Sequence, residues 1–165
     1  MSQAQLAPYR EVLGASVAFE GLEPGDLDAV LARCRLLEVR TGETVLTEGE
    51  RVEGLYVILG GRIEFFLPEQ GAGGRRRSTR VRLNVLGPGR CFGEYSLVDD
   101  EVGSASAMAL APARLALLAR EDFRRLTEQG DRLGKVIYRN LLRFLVARLR
   151  AKDRELDVFL LSEGR

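Results

Sequence analysis

The chain has 165 residues, 45% of them hydrophobic and 30% charged, which is enough for one domain with a substantial core. Its formal net charge of +1 gives no overall field that would attract nucleic acid or a membrane surface. Histidine is absent, which excludes Ser-His-Asp and Cys-His catalysis and imidazole metal sites. We therefore expect no catalytic residues, no metal site and no enzyme activity.

The two cysteines, Cys34 and Cys91, are too few for a disulfide scaffold and indicate a reducing compartment. No segment resembles a signal peptide, and no apolar run approaches the roughly 18 residues that span a bilayer. We expect a cytoplasmic protein without a membrane partner.

The N-terminal part, residues 1–35, is predicted to be helical. Gln3 to Leu13 forms a short helix in this interpretation. After a glycine- and proline-containing turn, Asp26 is expected to cap a second helix that runs to about Cys34, with apolar residues at helical spacing.

Residues 36–119 have a different pattern, in which short β-branched or aromatic runs alternate with glycines. Turn signals recur every eight to twelve residues, which indicates an antiparallel sandwich or barrel. Gln70 to Ser78 is predicted to be a polar hairpin loop with Arg75, Arg76 and Arg77 at a solvated tip, although nucleic-acid contact there stays an alternative. The last strand is placed at Arg114 to Leu118.

Within this part, residues 87–109 combine features of a ligand-binding segment, which we call the cassette. Gly93 lets the backbone approach a ligand or a neighbouring strand, and Glu94 can accept hydrogen bonds from a sugar hydroxyl or from backbone amides. A helical turn followed by small residues offers free amides to an anion. Asp99, Asp100 and Glu101 precede those small residues and oppose an anion.

Residues 120–165 are predicted to be helical again, with a short helix at Arg120 to Leu126 and a long one from about Asp131 to Leu161. A seam of coiled-coil type with 3-4-3-4-3 spacing runs along the long helix: Leu142, Leu145, Leu149, Lys152, Leu156 and Phe159. A second apolar line, formed by Ile137, Leu141 and Phe144, is expected to pack on the sheet. The seam predicts a homodimer, and the alternative is that it packs on the chain's own N-terminal helix.

Many of these positions together resemble the cyclic nucleotide-binding domain of the catabolite activator protein (Crp/Fnr) family, over residues from about 18 to 161. The resemblance is carried by Gly49, Leu55-Tyr56, Ile58, Gly61, Ile63, Gly87, Gly89, Phe92-Gly93-Glu94, Leu115, Leu117, Phe123 and Leu126. It implies a mainly β fold: an eight-stranded jelly-roll-type β-roll with flanking helices and a long C-terminal dimerisation helix.

The resemblance also implies a phosphate-binding cassette, in which a glutamate holds the ribose 2′-hydroxyl and an arginine nine positions later pairs with the cyclic phosphate. Glu94 fits the first role, but the second falls on Gly103. Lys152 and Asp153 stand near where the family places small hydroxyl residues against the purine. The candidate ligand-binding residues are Phe92, Gly93, Glu94, Tyr95, Ser96, Gly103, Ser104 and Ala105. Capping of the cassette turn is preferred for Glu94 over a ribose contact.

We therefore expect a stand-alone regulatory domain with a degenerate pocket and no cofactor, acting through dimerisation and contact with a partner protein. The alternative is a sensor of a cyclic nucleotide or dinucleotide in which arginines such as Arg80, Arg82 or Arg90 hold the phosphate. Because the chain stops at Arg165, a few residues after the long helix, sequence-specific DNA binding is not expected.

Overall fold

Two four-stranded antiparallel sheets form the centre of the molecule in the computed structural model, which describes residues 5–128 and 131–163. The strands are β1 (Cys34–Val39), β2 (Thr44–Leu46), β3 (Gly54–Gly60), β4 (Ile63–Leu67), β5 (Val81–Leu86), β6 (Cys91–Phe92), β7 (Ser106–Ala109) and β8 (Ala113–Ala119). One sheet has the order β1-β8-β3-β6 and the other β2-β7-β4-β5. The predicted fold class, eight strands with flanking helices, is confirmed.

The first sheet is covered on both faces, which explains why its central strands are almost continuously apolar. In β3, Tyr56 and Ile58 point between the two sheets, whereas Leu55 and Val57 face the helices. The same alternation in β8 puts Leu115 and Leu117 between the sheets. The helices therefore pack on the outer face of this sheet, and the second sheet closes its inner face.

The flanking helices are α1 (Arg10–Gly14), α2 (Pro24–Leu31), α3 (Glu94–Asp99), α4 (Arg120–Glu128) and α5 (Asp131–Glu163). The predicted cap at Asp26 is wrong: Glu23 is the N-cap of α2 and makes no side-chain capping bond. Pro24 occupies the first turn, where a missing N–H costs nothing. The helix ends at Leu31, earlier than predicted, because Cys34 already begins β1.

The N-terminal segment is less regular than predicted. A 3₁₀ turn at Ala7–Tyr9 interrupts the helix expected over Gln3 to Leu13, and proline lies in that turn. Gln3, the predicted start, lies outside the described residues. Leu6 and Leu13 are fully buried, so this segment is packed against the domain.

Helix α5 has 33 residues and is therefore about 50 Å long. Ile137, Leu141 and Phe144 are buried on the domain, which confirms the predicted second apolar line. From Lys152 to Leu160 every side chain is exposed, so the C-terminal part of the helix runs clear of the sheets. No helix in the described part of the chain is both long and apolar enough to cross a membrane.

Candidate ligand-binding site

A cavity of about 340 Å³ lies between the cassette, the sheets and helix α5. All eight predicted ligand-binding residues line it: Phe92, Gly93, Glu94, Tyr95, Ser96, Gly103, Ser104 and Ala105. Strand residues and α5 complete the wall with Leu46, Val52, Phe65, Leu83, Asn84, Arg148, Ala151, Lys152 and Glu155. Residues far apart in the sequence are thus brought to one site.

The cassette turns sharply at Gly93, between β6 and α3. Its φ of +87° lies in the left-handed region, and a Cβ there would lie 2.4 Å from the carbonyl oxygen of Gly54. Only glycine allows this close approach to β3. Of the two roles expected for Gly93, approach to a ligand or to a neighbouring strand, the structure shows the second. The turn leaves Phe92 in the core, where its ring stacks on Tyr56 at 4.8 Å between centroids.

Glu94, the first residue of α3, is a buried carboxylate with one cationic partner. Its side chain is 3% exposed, and Oε1 accepts a hydrogen bond of 3.0 Å from Nη1 of Arg148 on α5. Burial raises the pKa of Glu94 above the ordinary carboxyl value, while its own backbone N–H and Arg148 oppose that rise. Glu94 thus interacts both with a backbone N–H of its own turn, as the capping interpretation expected, and with a guanidinium from another element that the sequence did not predict.

Arg148 is the functional residue that the sequence interpretation missed. Its guanidinium also lies near the rings of Tyr95 and Phe144, at 5.2 and 5.5 Å from their centroids. A signal was present, because Ile137, Leu141, Phe144 and residue 148 follow the 4-3-4 spacing of the buried line. A charged residue at the next position of a buried line needs a buried partner, and that rule points to a carboxylate such as Glu94.

Gly103, the position where the resemblance implies a phosphate-binding arginine, is buried in a backbone bridge. Its N–H donates to the carbonyl of Glu50 and its carbonyl accepts from the N–H of Gly49, both at 2.8 Å. A Cβ at this position would lie 3.3 Å from the carbonyl oxygen of Thr47, so a side chain there needs only a small adjustment. No cation therefore enters the cavity from the cassette, although the backbone tolerates one.

The acidic residues of the cassette lie outside the cavity wall. Asp100, with φ +60°, accepts hydrogen bonds from Arg120 at 2.5 Å and Arg124 at 2.9 Å. Asp99 accepts from the backbone N–H of Glu101 at 3.0 Å. The expectation that these acids oppose an anion in the pocket is therefore weakened, because Asp100 is paired with two arginines of α4 and none of the three acids is among the described lining residues.

The arginines proposed as substitute phosphate ligands also lie elsewhere. Arg80 and Arg82 both pair with the buried Glu64, and Arg90 lies 5.7 Å from the ring of Phe144. None of the three is among the described residues that line the cavity. The alternative, in which one of these arginines binds the phosphate of a nucleotide, is therefore not supported by their positions.

In the β4–β5 loop, Arg77 is not at a solvated tip. It makes two hydrogen bonds of 2.9 Å to Glu48, which lower the pKa of that carboxyl. The loop is thereby fastened to the end of β2, and only Arg75 and Arg76 are exposed as expected.

The predicted dimer seam lies mostly on the exposed face of α5. Leu142, Leu149, Leu156 and Phe159 are each more than half exposed. Leu145 is half-buried against the chain's own core. Lys152 lines the cavity and pairs with Glu155 of the same chain at 2.6 Å.

Neither cysteine is placed for chemistry. Burial raises the pKa of Cys34 and of Cys91 to about 12, so both stay protonated thiols at neutral pH. Within residues 5–128 and 131–163, no cluster of three histidine, cysteine or acidic residues is arranged to hold a metal ion.

Comparisons with known proteins agree with this geometry. A family model described as the cyclic nucleotide-binding domain matches residues 36–130. The chain is 35% identical to the cyclic AMP receptor protein of Thermus thermophilus over 91% of its own length and 65% of that protein's. The crystal structure of the Thermus thermophilus catabolite activator protein is similar with a TM-score of 0.72 and 33% identity, over 87% of this chain and 63% of that one.

A cyclic nucleotide-binding domain from Methylobacillus flagellatus has the same fold, with a TM-score of 0.78, 23% identity and coverage of 94% of this chain and 84% of that one. The chain spans less than two thirds of the length of the curated relatives it matches.

Proposed function

Because this chain belongs to the cyclic nucleotide-binding domain family, we propose that it is a regulatory domain whose pocket does not hold a cyclic nucleotide in the way the family resemblance implies. It acts instead as a homodimer joined through helix α5 and signals by contact with a partner protein. It is not a catalyst.

The observation that carries the proposal is the ion pair between Glu94 and Arg148. The binding mode implied by the resemblance needs the Glu94 carboxylate for a ribose hydroxyl, but that carboxylate is 3% exposed and already paired. Separating a fully buried pair costs about 3–5 kcal/mol, and separating this one costs less because Arg148 is 35% exposed; a hydrogen bond to a hydroxyl contributes about 1.5–3 kcal/mol even when one partner is charged. A ribose hydroxyl that displaced Arg148 would therefore gain little free energy.

The glycine at position 103, where the resemblance implies a phosphate-binding arginine, also weakens the binding of a cyclic nucleotide. A cyclic phosphate carries a negative charge, and the cassette offers it backbone amides but no guanidinium. The missing charge-assisted hydrogen bond would contribute about 1.5–3 kcal/mol, which corresponds to roughly a ten- to hundredfold loss of affinity. The ion pair and the glycine together weaken both polar anchors that the resemblance implies for the nucleotide.

The dimer is supported by the row of exposed apolar side chains on α5. Leu142, Leu149 and Leu156 recur at intervals of seven residues and are each about 60% exposed. A seven-residue repeat of leucine on a free helix face is typical of a coiled-coil contact. Because Leu145 is turned towards the chain's own core, the proposed contact is made by the three exposed leucines without it.

A thermal-shift panel with cyclic AMP, cyclic GMP and cyclic di-GMP tests the pocket. A ligand present at 100 times its dissociation constant stabilises a fold by about 2.7 kcal/mol, so binding would be visible. We expect no shift for the wild type at millimolar ligand, and a shift with cyclic AMP for Gly103→Arg. Gly103→Ala is the matched control, since it adds the Cβ without the charge.

A wild-type shift that Glu94→Gln abolishes would show that the pocket works in the family's way, and the proposal would then be wrong.

A further inference from the structure

We propose that the cavity binds a small uncharged aromatic molecule that carries a hydroxyl group. The inference rests on the proposed function, because it names the class of ligand for the same pocket once cyclic nucleotides are set aside.

The charges that line the cavity already neutralise one another. Glu94 is paired with Arg148 at 3.0 Å and Glu155 with Lys152 at 2.6 Å, and these are the only charged side chains among the described lining residues. An anionic ligand would lie beside the buried Glu94 carboxylate, and a cationic one beside Arg148, without an unpaired counter-charge for either. An uncharged ligand meets neither penalty.

The remaining wall favours an aromatic ring. Leu46, Val52, Phe65, Leu83 and Phe92 line the cavity from both sheets. Phe65 meets the buried ring of Phe92 edge-on at 5.2 Å and is itself only partly buried, so it keeps apolar ring surface for a ligand. The volume of about 340 Å³ lies at the lower end of the range for small-molecule pockets and suits a molecule of one or two fused rings.

The hydroxyl group follows from the donors that Arg148 keeps. A guanidinium has five N–H donors in a fixed fork, and within the described chain Arg148 uses one nitrogen, Nη1, for Glu94. Its side chain is 35% exposed, so the other nitrogens are accessible. A ligand hydroxyl accepts a hydrogen bond from them while the buried ion pair stays intact.

Three indole probes that differ in charge test the inference on the full chain. Indole-3-ethanol is neutral, indole-3-acetate is an anion and tryptamine is a cation, while the ring and the reach of the side chain stay nearly the same. We expect the dissociation constant of indole-3-ethanol, measured by NMR titration, to be at least tenfold lower than those of the other two. Equal or tighter binding of either charged probe, or no binding of indole-3-ethanol at millimolar concentration, would overturn the inference.

Two alanines of α5 provide a matched pair of variants. Ala151 lines the cavity, whereas Ala147 is exposed and does not. Ala151→Phe should fill the site and weaken binding of indole-3-ethanol at least tenfold, and Ala147→Phe should leave it unchanged. An unchanged affinity in Ala151→Phe would place the probe elsewhere and refute the site.

The outcomes also separate this inference from the proposed function. If indole-3-ethanol does not bind and cyclic AMP gives no thermal shift, the inference alone fails. If cyclic AMP binds the wild type through Glu94, the proposed function fails.

Discussion

At the scale of single residues, the pocket is defined by one ion pair and one missing side chain. Arg148 reaches Glu94 from α5, and Gly103 leaves the cassette without a cation. The backbone turn at Gly93 depends on neither of these features, because its φ of +87° accompanies close packing on Gly54. The fold of the cassette and its capacity for a cyclic phosphate are therefore separate properties of this chain.

The Glu94–Arg148 pair predicts a pH-dependent loss of stability in Arg148→Met. Burial raises the pKa of Glu94 above 4.5, so the native state binds this proton more tightly than the unfolded chain does. The stability contributed by this carboxyl is thus fully present below about pH 4.5 and is lost as the pH rises through the folded pKa. Removing Arg148 raises that pKa further, so the variant should lose more stability at pH 8 than at pH 5.

We expect a loss of about 3 kcal/mol or less at pH 8, because Arg148 is 35% exposed and water screens part of the interaction. Urea unfolding at several pH values measures the effect. The double variant Glu94→Gln with Arg148→Met is the control and should lack the extra pH dependence. A loss in Arg148→Met that is equal at pH 5 and pH 8 would contradict the assignment.

At the scale of elements, the sequence predicted best what depends on periodicity. The bounds of α5 and β8 are within about two residues of those predicted, since each has a long regular pattern. The cap was wrongly placed at Asp26 because Pro24, two residues earlier, already starts α2. Long-range pairs such as Asp100 with Arg120 have no local pattern, so only the folded chain reveals where the cassette acids point.

One face of helix α5 packs on the domain and the other is exposed. The proposed dimer contact lies on the exposed face. We expect Leu149→Arg to yield a monomer in sedimentation velocity, because its side chain is 63% exposed in a single chain and a charge there would be buried in a dimer. Arg150→Glu, next along the helix but off the leucine row, is the charge-reversal control and should stay dimeric. A wild type that already sediments as a monomer would contradict the proposal.

At the scale of the whole molecule, the fold was predictable and the chemistry of the pocket only in part. Turn spacing led to an antiparallel sandwich or barrel, and the family resemblance led to the eight strands and to the eight cassette residues that line the cavity. What could not be predicted is where α5 crosses the sheets, because a helix pattern gives its faces but not its docking position. The absence of DNA binding and the cytoplasmic location stay predictions.

Because α5 crosses the sheets at the cavity, it contributes residues both to the cavity wall and to the proposed dimer contact. Arg148 and Ala151 line the cavity on one side of α5, while Leu149 and Leu156 lie exposed on the other. The cavity wall and the proposed helix contact therefore share the same turns of α5. The ion pair between Glu94 and Arg148 joins that helix to the cassette.

The crystal structure of the protein soaked with 10 mM cyclic AMP tests most directly whether the pocket holds a cyclic nucleotide. We expect the cavity to hold no nucleotide and Nη1 of Arg148 to remain at about 3.0 Å from Oε1 of Glu94. A nucleotide seated with its ribose hydroxyl on Glu94 and its phosphate at the Ser104 amide, with Arg148 displaced, would contradict the account.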